Sequence, residues 1–404
     1  MTSTFASSMI PQDRLLPGLL GLRGIAAFAV VLFHLVHLAN IAVPPAFSFI
    51  AADFGNGVHL FFVLSAFSLM HSTEHTLHRP TWAKEYFVRR FFRIAPLFYC
   101  ILAVMVLWPA LKAQHLTVSL SALLLNLTFT FGFAPWTEIV KASWAVGVEM
   151  MFYAILPVLL LTVRSRKGLL MLVVGSMLFT FSARAELQAH YEHTVSVYRY
   201  NWSYFSFASN ACYFALGMYA FRIAGEIGDS ATAMRRGVPV FTSVLLLVLL
   251  LAGGVTGWHP DLALWGFAFA LLALWQGKWP SRWCANRFFE YLGERSYSLY
   301  LLHPIVIILL KSPLQTLYGL LMPTLGAYAF FVCAVALLVP LLLLSEATYR
   351  LVEIPAIRYG KKVSARLRQQ TDLESPPSKN RTNLARQDFP ARKLSSKTNA
   401  STGL

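Results

Sequence analysis

Charged residues are scarce in this sequence. Asp, Glu, Lys and Arg make up 13% of its 404 residues, whereas a soluble domain averages about a quarter. Hydrophobic residues make up 57%, and the mean hydropathy is +0.57. No soluble core could bury so much apolar surface. The shortage of charge therefore excludes an ordinary soluble enzyme and predicts that a lipid bilayer surrounds most of the chain.

Other signatures are also missing. The four cysteines are scattered and have neither the spacing of a metal site nor that of a disulfide framework. The sequence shows no internal repeat and no Gly-rich phosphate-binding loop. We therefore expect no bound metal and no soluble catalytic domain.

The charge that is present is basic and unevenly placed. The net charge is +16, and the basic residues lie between apolar runs, as they do in cytoplasmic loops. This placement predicts contact with membrane lipids and no nucleic-acid partner. Residues 361–404 are polar and basic, which predicts a disordered cytoplasmic tail. We assign residues 1–14 to an N-terminal cytoplasmic segment and residues 15–360 to a transmembrane domain.

Eleven apolar runs approach the length that spans a bilayer, about 20 residues. The positive-inside rule can place every basic cluster in the cytoplasm only if one run between residues 91 and 144 fails to cross. The polar run 116–134 is the best candidate and is predicted to be re-entrant. The fold class is therefore an all-α transmembrane bundle with about ten crossings and both termini in the cytoplasm. The runs are 19–40, 56–72, 91–111, 116–134, 144–163, 168–183, 204–222, 238–256, 259–276, 288–310 and 323–349.

Ionisable residues at membrane depth are costly and usually functional. Arg23 and His34 are eleven residues apart, so they lie on one helix face and about 16 Å apart along its axis. A cation at the mouth of a channel and an imidazole deeper in it would suit an anionic donor. The alternative is a snorkelling arginine and a histidine that bonds a neighbouring helix.

Arg89, Arg90 and Arg93 form a cluster at the start of the third crossing. Their spacing places Arg93 beside both partners on a helix, and forked guanidinium groups suit phosphates. An ordinary positive-inside cluster is the alternative. Glu149 shares a helix face with Tyr153. It could orient a histidine, relay a proton, bond a sugar hydroxyl, or simply bond a neighbouring helix.

Several segments, taken together and in order, resemble the acyltransferase-3 family, bacterial membrane enzymes that O-acylate cell-surface carbohydrates. The matching positions are Pro17–Ala27 with His34, Asn56–Phe67, Arg89–Pro96, Trp144–Tyr153, Tyr291–Pro304 and Tyr349–Pro355. Three positions depart from the family pattern: Leu20 replaces an acidic residue, His59 an acidic or amide residue, and Ala66 a glycine. The departures leave the acceptor and the subfamily open.

The resemblance implies transfer of an acyl group from acyl-CoA, expected to be acetyl-CoA, to a hydroxyl of a glycan or glycolipid. It implies a bacterial inner-membrane location and no bound cofactor. His34 would act as general base or carry the acyl group briefly, with Glu149 as a second catalytic residue. Arg23, Arg89, Arg90 and Arg93 would bind the donor. The acceptor or relay candidates are Trp144, Tyr153, Ser298 and His303.

Two other functions remain open from the residues alone. A secondary transporter or flippase would also carry intramembrane histidine and glutamate, although it often shows two similar halves. A membrane anchor or sensor could use the basic tail to bind anionic lipid. The acyl length, the acceptor and the oligomeric state are left open.

Overall fold

The structure is a computed structural model, and it describes residues 16–111, 118–134, 137–191, 202–227, 233–256 and 262–374. These ranges are helical throughout, with turns between the helices and no strand. The fold class predicted from hydropathy is therefore confirmed.

Fifteen α-helices follow one another along the described ranges, and a π-helical turn at Tyr349–Glu353 joins the last two. The helices are α1 (Pro17–Ala39), α2 (Phe49–Ala52), α3 (Gly57–Thr73), α4 (Trp82–Leu111), α5 (Leu120–Leu127), α6 (Trp144–Thr162), α7 (Arg166–Tyr191), α8 (Trp202–Phe205), α9 (Ala211–Glu226), α10 (Ala233–Thr256), α11 (Leu262–Lys278), α12 (Arg287–Glu294), α13 (Ser296–Leu325), α14 (Ala329–Thr348) and α15 (Ile354–Glu374).

The long apolar helices coincide with the predicted crossings. Helices α1, α3, α4, α6, α7, α9, α10, α11, α13 and α14 each overlap one of the ten runs predicted to cross. Within the described ranges, six helical segments are long and apolar enough to span a membrane by length and composition. The chain is thus a polytopic membrane protein. The orientation of its termini stays a prediction.

The run 116–134 does not form a spanning helix in its described part. It contains α5, whose eight residues extend about 12 Å, far less than the roughly 30 Å of a hydrocarbon core. The buried Asn126 then fixes the return of the chain. Its amide donates to the carbonyls of Ala122 (2.8 Å) and Thr137 (2.6 Å), and its oxygen accepts from the Ile139 N–H (3.1 Å). This geometry agrees with the predicted non-crossing segment.

Two boundaries differ from those predicted. The second crossing was placed at 56–72, but the membrane-length segment begins at Pro45 as short helical turns that lead into α3. Residues 361–374 were assigned to a disordered tail, yet they are helical because α15 packs against α4. Residues 375–404, the segment 1–14 and the loop 192–201 lie outside the described residues.

Glycines allow α1 to pack closely and so position its functional side chains. A Cβ added at Gly24 would lie 2.4 Å from the Phe289 carbonyl oxygen, and one at Gly293 would lie 1.9 Å from the Leu20 carbonyl oxygen. Only residues without a side chain permit this approach of α1 to α12. Arg23 precedes the contact at Gly24.

Candidate functional site

A narrow cavity of about 30 Å³ opens between α1, α3, α6 and α13. Arg23 and Glu149 line it with opposite charges, and apolar and aromatic side chains form most of the remaining wall. The Arg23 guanidinium lies over the Phe61 ring, 5.4 Å from its centre. Its Nε is buried and has no hydrogen-bond partner among the described residues. A buried guanidinium without a partner is costly, so this cavity is suited to an anionic or carbonyl-bearing ligand.

Glu149 is held by two hydroxyl groups. The Ser65 hydroxyl donates to its Oε1 at 2.5 Å, and the Tyr153 hydroxyl donates to the same oxygen at 2.6 Å. Tyr86 in turn donates its hydroxyl to the Tyr153 carbonyl (3.1 Å). The predicted pairing of Glu149 with Tyr153 is therefore present. Glu149 makes its hydrogen bonds to these hydroxyls and none to either imidazole, so the geometry favours a role beside Arg23.

His34 and His303 form a second polar centre where α1 meets α13. The Nδ1–H of His34 donates to the Val30 carbonyl (2.9 Å) and lies 3.2 Å from Nε2 of His303. The Nδ1–H of His303 donates to the Leu299 carbonyl (3.2 Å). Because a carbonyl only accepts, both rings carry their proton on Nδ1. His34 therefore keeps a basic Nε2, and His303 accepts from the other side of that ring.

One continuous channel from Arg23 to His34 was the expectation, and the structure corrects it. The cavity that holds Arg23 is lined by Phe61 and Tyr300, whose ring centres are 6.1 Å apart, and His34 is not part of its lining. The Tyr300 ring in turn lies 5.8 Å from the His303 ring. Tyr300 is therefore a shared wall between the cavity and the imidazole pair.

The three arginines at the start of α4 are not equivalent. Arg89 pairs with Glu85 (3.4 Å), and Arg93 pairs with Glu353 (3.1 Å). The Nε of Arg90 is buried and has no hydrogen-bond partner among the described residues. Of the predicted donor-binding cluster, Arg90 is thus the cation most available to a ligand.

Two predicted acceptor or relay residues lie away from the cavity lining. Ser298 donates to Glu353 and accepts from the Thr348 hydroxyl (3.0 Å), so it belongs to the contact between α13 and the end of α14. Trp144 is buried against the rings of Phe205 (4.7 Å) and Tyr204 (5.6 Å). Both positions are compatible with structural roles.

Sequence reasoning left three residues without a role. Ser65 lies in the family-like segment Asn56–Phe67, and Glu353 lies in Tyr349–Pro355. Tyr300 lies one helical turn before His303. Their positions in the family-like segments could have marked them as candidate site residues. Their hydrogen-bond and ring partners, however, lie on helices distant in sequence.

A larger cavity of about 430 Å³ lies elsewhere, between the ends of α3 and α6 and the facing ends of α7 and α9. It contains none of the predicted site residues. Among the described residues, no group of three or more His, Cys, Asp or Glu is placed to hold a metal ion.

A half-buried carboxylate, a guanidinium with an unpartnered Nε and a pair of imidazoles inside a transmembrane helical bundle define a membrane protein with an intramembrane polar site. The chain belongs to the acyltransferase 3 family, because the family model, described as an acyltransferase domain, matches residues 16–344. This match confirms the resemblance drawn from the motifs.

The chain is also similar to the peptidoglycan O-acetyltransferase OatA of Listeria monocytogenes serovar 1/2a. The two are 27% identical over 178 residues, which cover 39% of this chain and 27% of the relative. The match thus spans little more than a quarter of the length of that curated protein. No solved structure matches the chain.

Proposed function

We propose that this protein is a membrane-bound O-acyltransferase that moves an acyl group, expected to be acetyl, from acyl-CoA to a hydroxyl of a cell-surface carbohydrate or glycolipid. The observation that carries the proposal is the His34–His303 pair, found in a chain that belongs to an acyltransferase family. The similarity to a peptidoglycan O-acetyltransferase of Listeria supports an acetyl group and a glycan acceptor.

His34 acts as the general base in this reaction. Its Nε2 takes the proton from the acceptor hydroxyl while that oxygen attacks the thioester carbonyl. The C–S bond then breaks, and the proton passes to the leaving thiolate, so that free CoA is released. His303 Nε2 accepts from the Nδ1–H of His34 (3.2 Å) and stabilises the imidazolium as it forms. Brief transfer of the acyl group to His34 itself is a second route with the same products.

The unpaired guanidinium groups bind the donor. Arg90 and Arg23 have buried Nε atoms without partners, and forked N–H groups bind phosphate and carbonyl oxygens well. Glu149 balances the charge of Arg23 in the cavity when the donor is absent. Because Tyr300 lines this cavity and also lies against His303, its ring has to turn aside when the thioester arrives.

A transfer assay tests the function. Membranes that contain the full chain are given acetyl-CoA labelled in the acetyl group, and label in the glycan or lipid fraction is measured. His34→Ala should lower the rate by about 10²–10⁴-fold, the usual contribution of a general base. His37→Ala is the matched control, because His37 is exposed on the same helix and bonds the Ala51 carbonyl (2.9 Å).

Full transfer by the His34→Ala protein would remove His34 from the chemistry. Absence of any labelled product from the unmodified chain, with labelled material accumulating across sealed vesicles, would favour a transporter.

A further inference from the structure

Ser296, the first residue of α13, is fully buried, and its hydroxyl oxygen has no hydrogen-bond partner among the described residues. It lines the same cavity as Arg23, whose buried Nε also lacks a partner. Buried hydroxyl and guanidinium groups are nearly always hydrogen-bonded, because an unpaired one is costly. Two such donors at one cavity therefore indicate that a ligand brings an acceptor oxygen to them.

Glu149 supplies the opposite hydrogen-bonding capacity in this cavity. Both of its hydrogen bonds, from Ser65 and Tyr153, end on Oε1. Its Oε2 makes no hydrogen bond within the described ranges, so it can accept from an N–H group of a ligand. A ligand group with one carbonyl oxygen and one N–H would thus find both kinds of partner here, and an amide is such a group.

The remaining wall of the cavity is mostly apolar and leaves little room. The buried apolar residues that line it are Val58, Phe62, Ala145 and Val146. A single water needs about 10–15 Å³, so a volume of about 30 Å³ admits a thin chain but no sugar or nucleotide ring. The lining therefore suits a slender, uncharged chain that carries an amide.

The cavity lies between the arginine-bearing helix α4 and the imidazole pair. Tyr297 lines it and donates its hydroxyl to the Ile94 carbonyl (2.7 Å), one residue after Arg93 in α4. Tyr300 lines it as well, and its ring lies 5.8 Å from the His303 ring. A donor that is held by the arginines and reaches the imidazoles therefore places its middle part in this cavity.

The middle part of acyl-CoA is the pantetheine arm, a thin chain with two amides. Ser296 and His303 are seven residues apart in α13, so they share a helix face and lie about 10 Å apart along its axis. The two amide carbonyl carbons lie five and nine bonds from the thioester carbon, or about 6 and 10 Å in an extended chain. The outer amide can therefore lie at Ser296 while the thioester lies at the level of His303.

We propose that Ser296 and Arg23 bind the carbonyl oxygen of the outer amide of the pantetheine arm, and that Glu149 accepts its N–H. The proposal rests on the proposed function. No covalent bond changes at this subsite. The two donors and the carboxylate hold the arm at a fixed depth, so that the thioester passes Tyr300 and lies beside the imidazole pair. Ser296 is thus a donor-binding residue.

Binding of two donors to the full chain in detergent tests the assignment. The probes are acetyl-CoA and an analogue in which CH2–CH2 replaces the CO–NH of the outer amide, and the readout is the dissociation constant. The unmodified protein should bind the analogue at least about tenfold more weakly, because hydrogen bonds to charged groups are lost. Ser296→Ala should weaken acetyl-CoA binding about 2- to 10-fold and leave binding of the analogue unchanged.

Ser345→Ala is the matched control. Ser345 is equally buried and its hydroxyl is also without a partner, but it does not line the cavity. Both affinities should stay at those of the unmodified protein. Heating without donor separates binding from folding. Because the Ser296 hydroxyl makes no hydrogen bond in the described structure, Ser296→Ala should unfold at the original temperature or above it.

Equal affinity of the unmodified protein for the two donors would overturn the amide subsite. An equal loss for both donors in Ser296→Ala would also overturn it, since that result indicates a displaced α13. Unchanged acetyl-CoA affinity in Ser296→Ala would remove Ser296 from the subsite. Failure of the unmodified chain to bind either donor would instead contradict the proposed function.

Discussion

Replacing His303 by alanine removes one of the two acceptors of the His34 Nδ1–H. In the intact protein His34 Nδ1 lies 3.2 Å from His303 Nε2, and its proton is shared with the Val30 carbonyl. In the proposed reaction His34 takes a proton from the acceptor hydroxyl. Its ring then becomes a cation, and the hydrogen bond to His303 becomes charge-assisted. The alanine variant loses this stabilisation mainly in the transition state.

The size of the effect follows from the type of bond. A hydrogen bond to a charged group contributes about 1.5–3 kcal/mol, and each 1.36 kcal/mol changes a rate tenfold. The turnover number should therefore fall roughly 10- to 150-fold. The KM for the donor should stay near its original value, because His303 makes none of the contacts that line the Arg23 cavity.

Initial rates of labelled acetyl transfer at several acetyl-CoA concentrations measure both quantities. His303→Gln should recover part of the rate, since its side-chain oxygen can accept the same bond. Protein amount and monodispersity in detergent must match in all variants. An unchanged turnover number in His303→Ala would refute the role assigned to the imidazole pair, and so would a loss that glutamine does not relieve.

Two further predictions concern packing and charge. Arg93→Ala should destabilise the fold by about 3–5 kcal/mol, because it leaves the buried Glu353 without its cation. Arg90→Ala should leave the fold intact and weaken only donor binding. Heating in detergent and donor titration separate the two effects, and equal thermal stability of both variants would contradict this account. Gly293→Ala should lower the free energy of unfolding by about 1–3 kcal/mol, since its Cβ would meet the Leu20 carbonyl at 1.9 Å. A variant as heat-stable as the original would show that α12 can move away.

Hydropathy was enough to predict the long apolar helices. The bilayer imposes a minimum length and an apolar composition on each of them, and both properties can be recognised within a single segment of the sequence. The same reasoning identified 116–134 as the segment that does not span, because Asn126 and its polar neighbours interrupt the apolar run.

The contacts between distant helices could not be predicted in this way. His34 and His303 are 269 residues apart, and Arg368 reaches Glu85 across 283 residues. The part of helix α15 from residue 361 onward was also assigned to a disordered tail. Composition shows that this segment is polar, but it does not show that Arg368 pairs with a buried carboxylate. Long-range pairing depends on packing that no single segment encodes.

The separation of Arg23 from His34 could not be predicted for the same reason. Periodicity correctly placed both residues on one face of α1, but it carries no information on what fills the space beside that face. The rings of Phe61 and Tyr300, supplied by α3 and α13, line the cavity beside Arg23, and Tyr300 also lies against His303.

The hydrogen bond between His303 and the backbone limits where a proton can travel. The Nδ1–H of His303 is tied to the Leu299 carbonyl, which cannot take up a proton. In the proposed mechanism, a proton that passes from His34 to His303 Nε2 finds no further acceptor on that ring among the described residues and must return by the same route. The imidazole pair is therefore not part of a continuous proton relay. The proposed acid–base chemistry at His34 would therefore open no path for protons across the bilayer through His303.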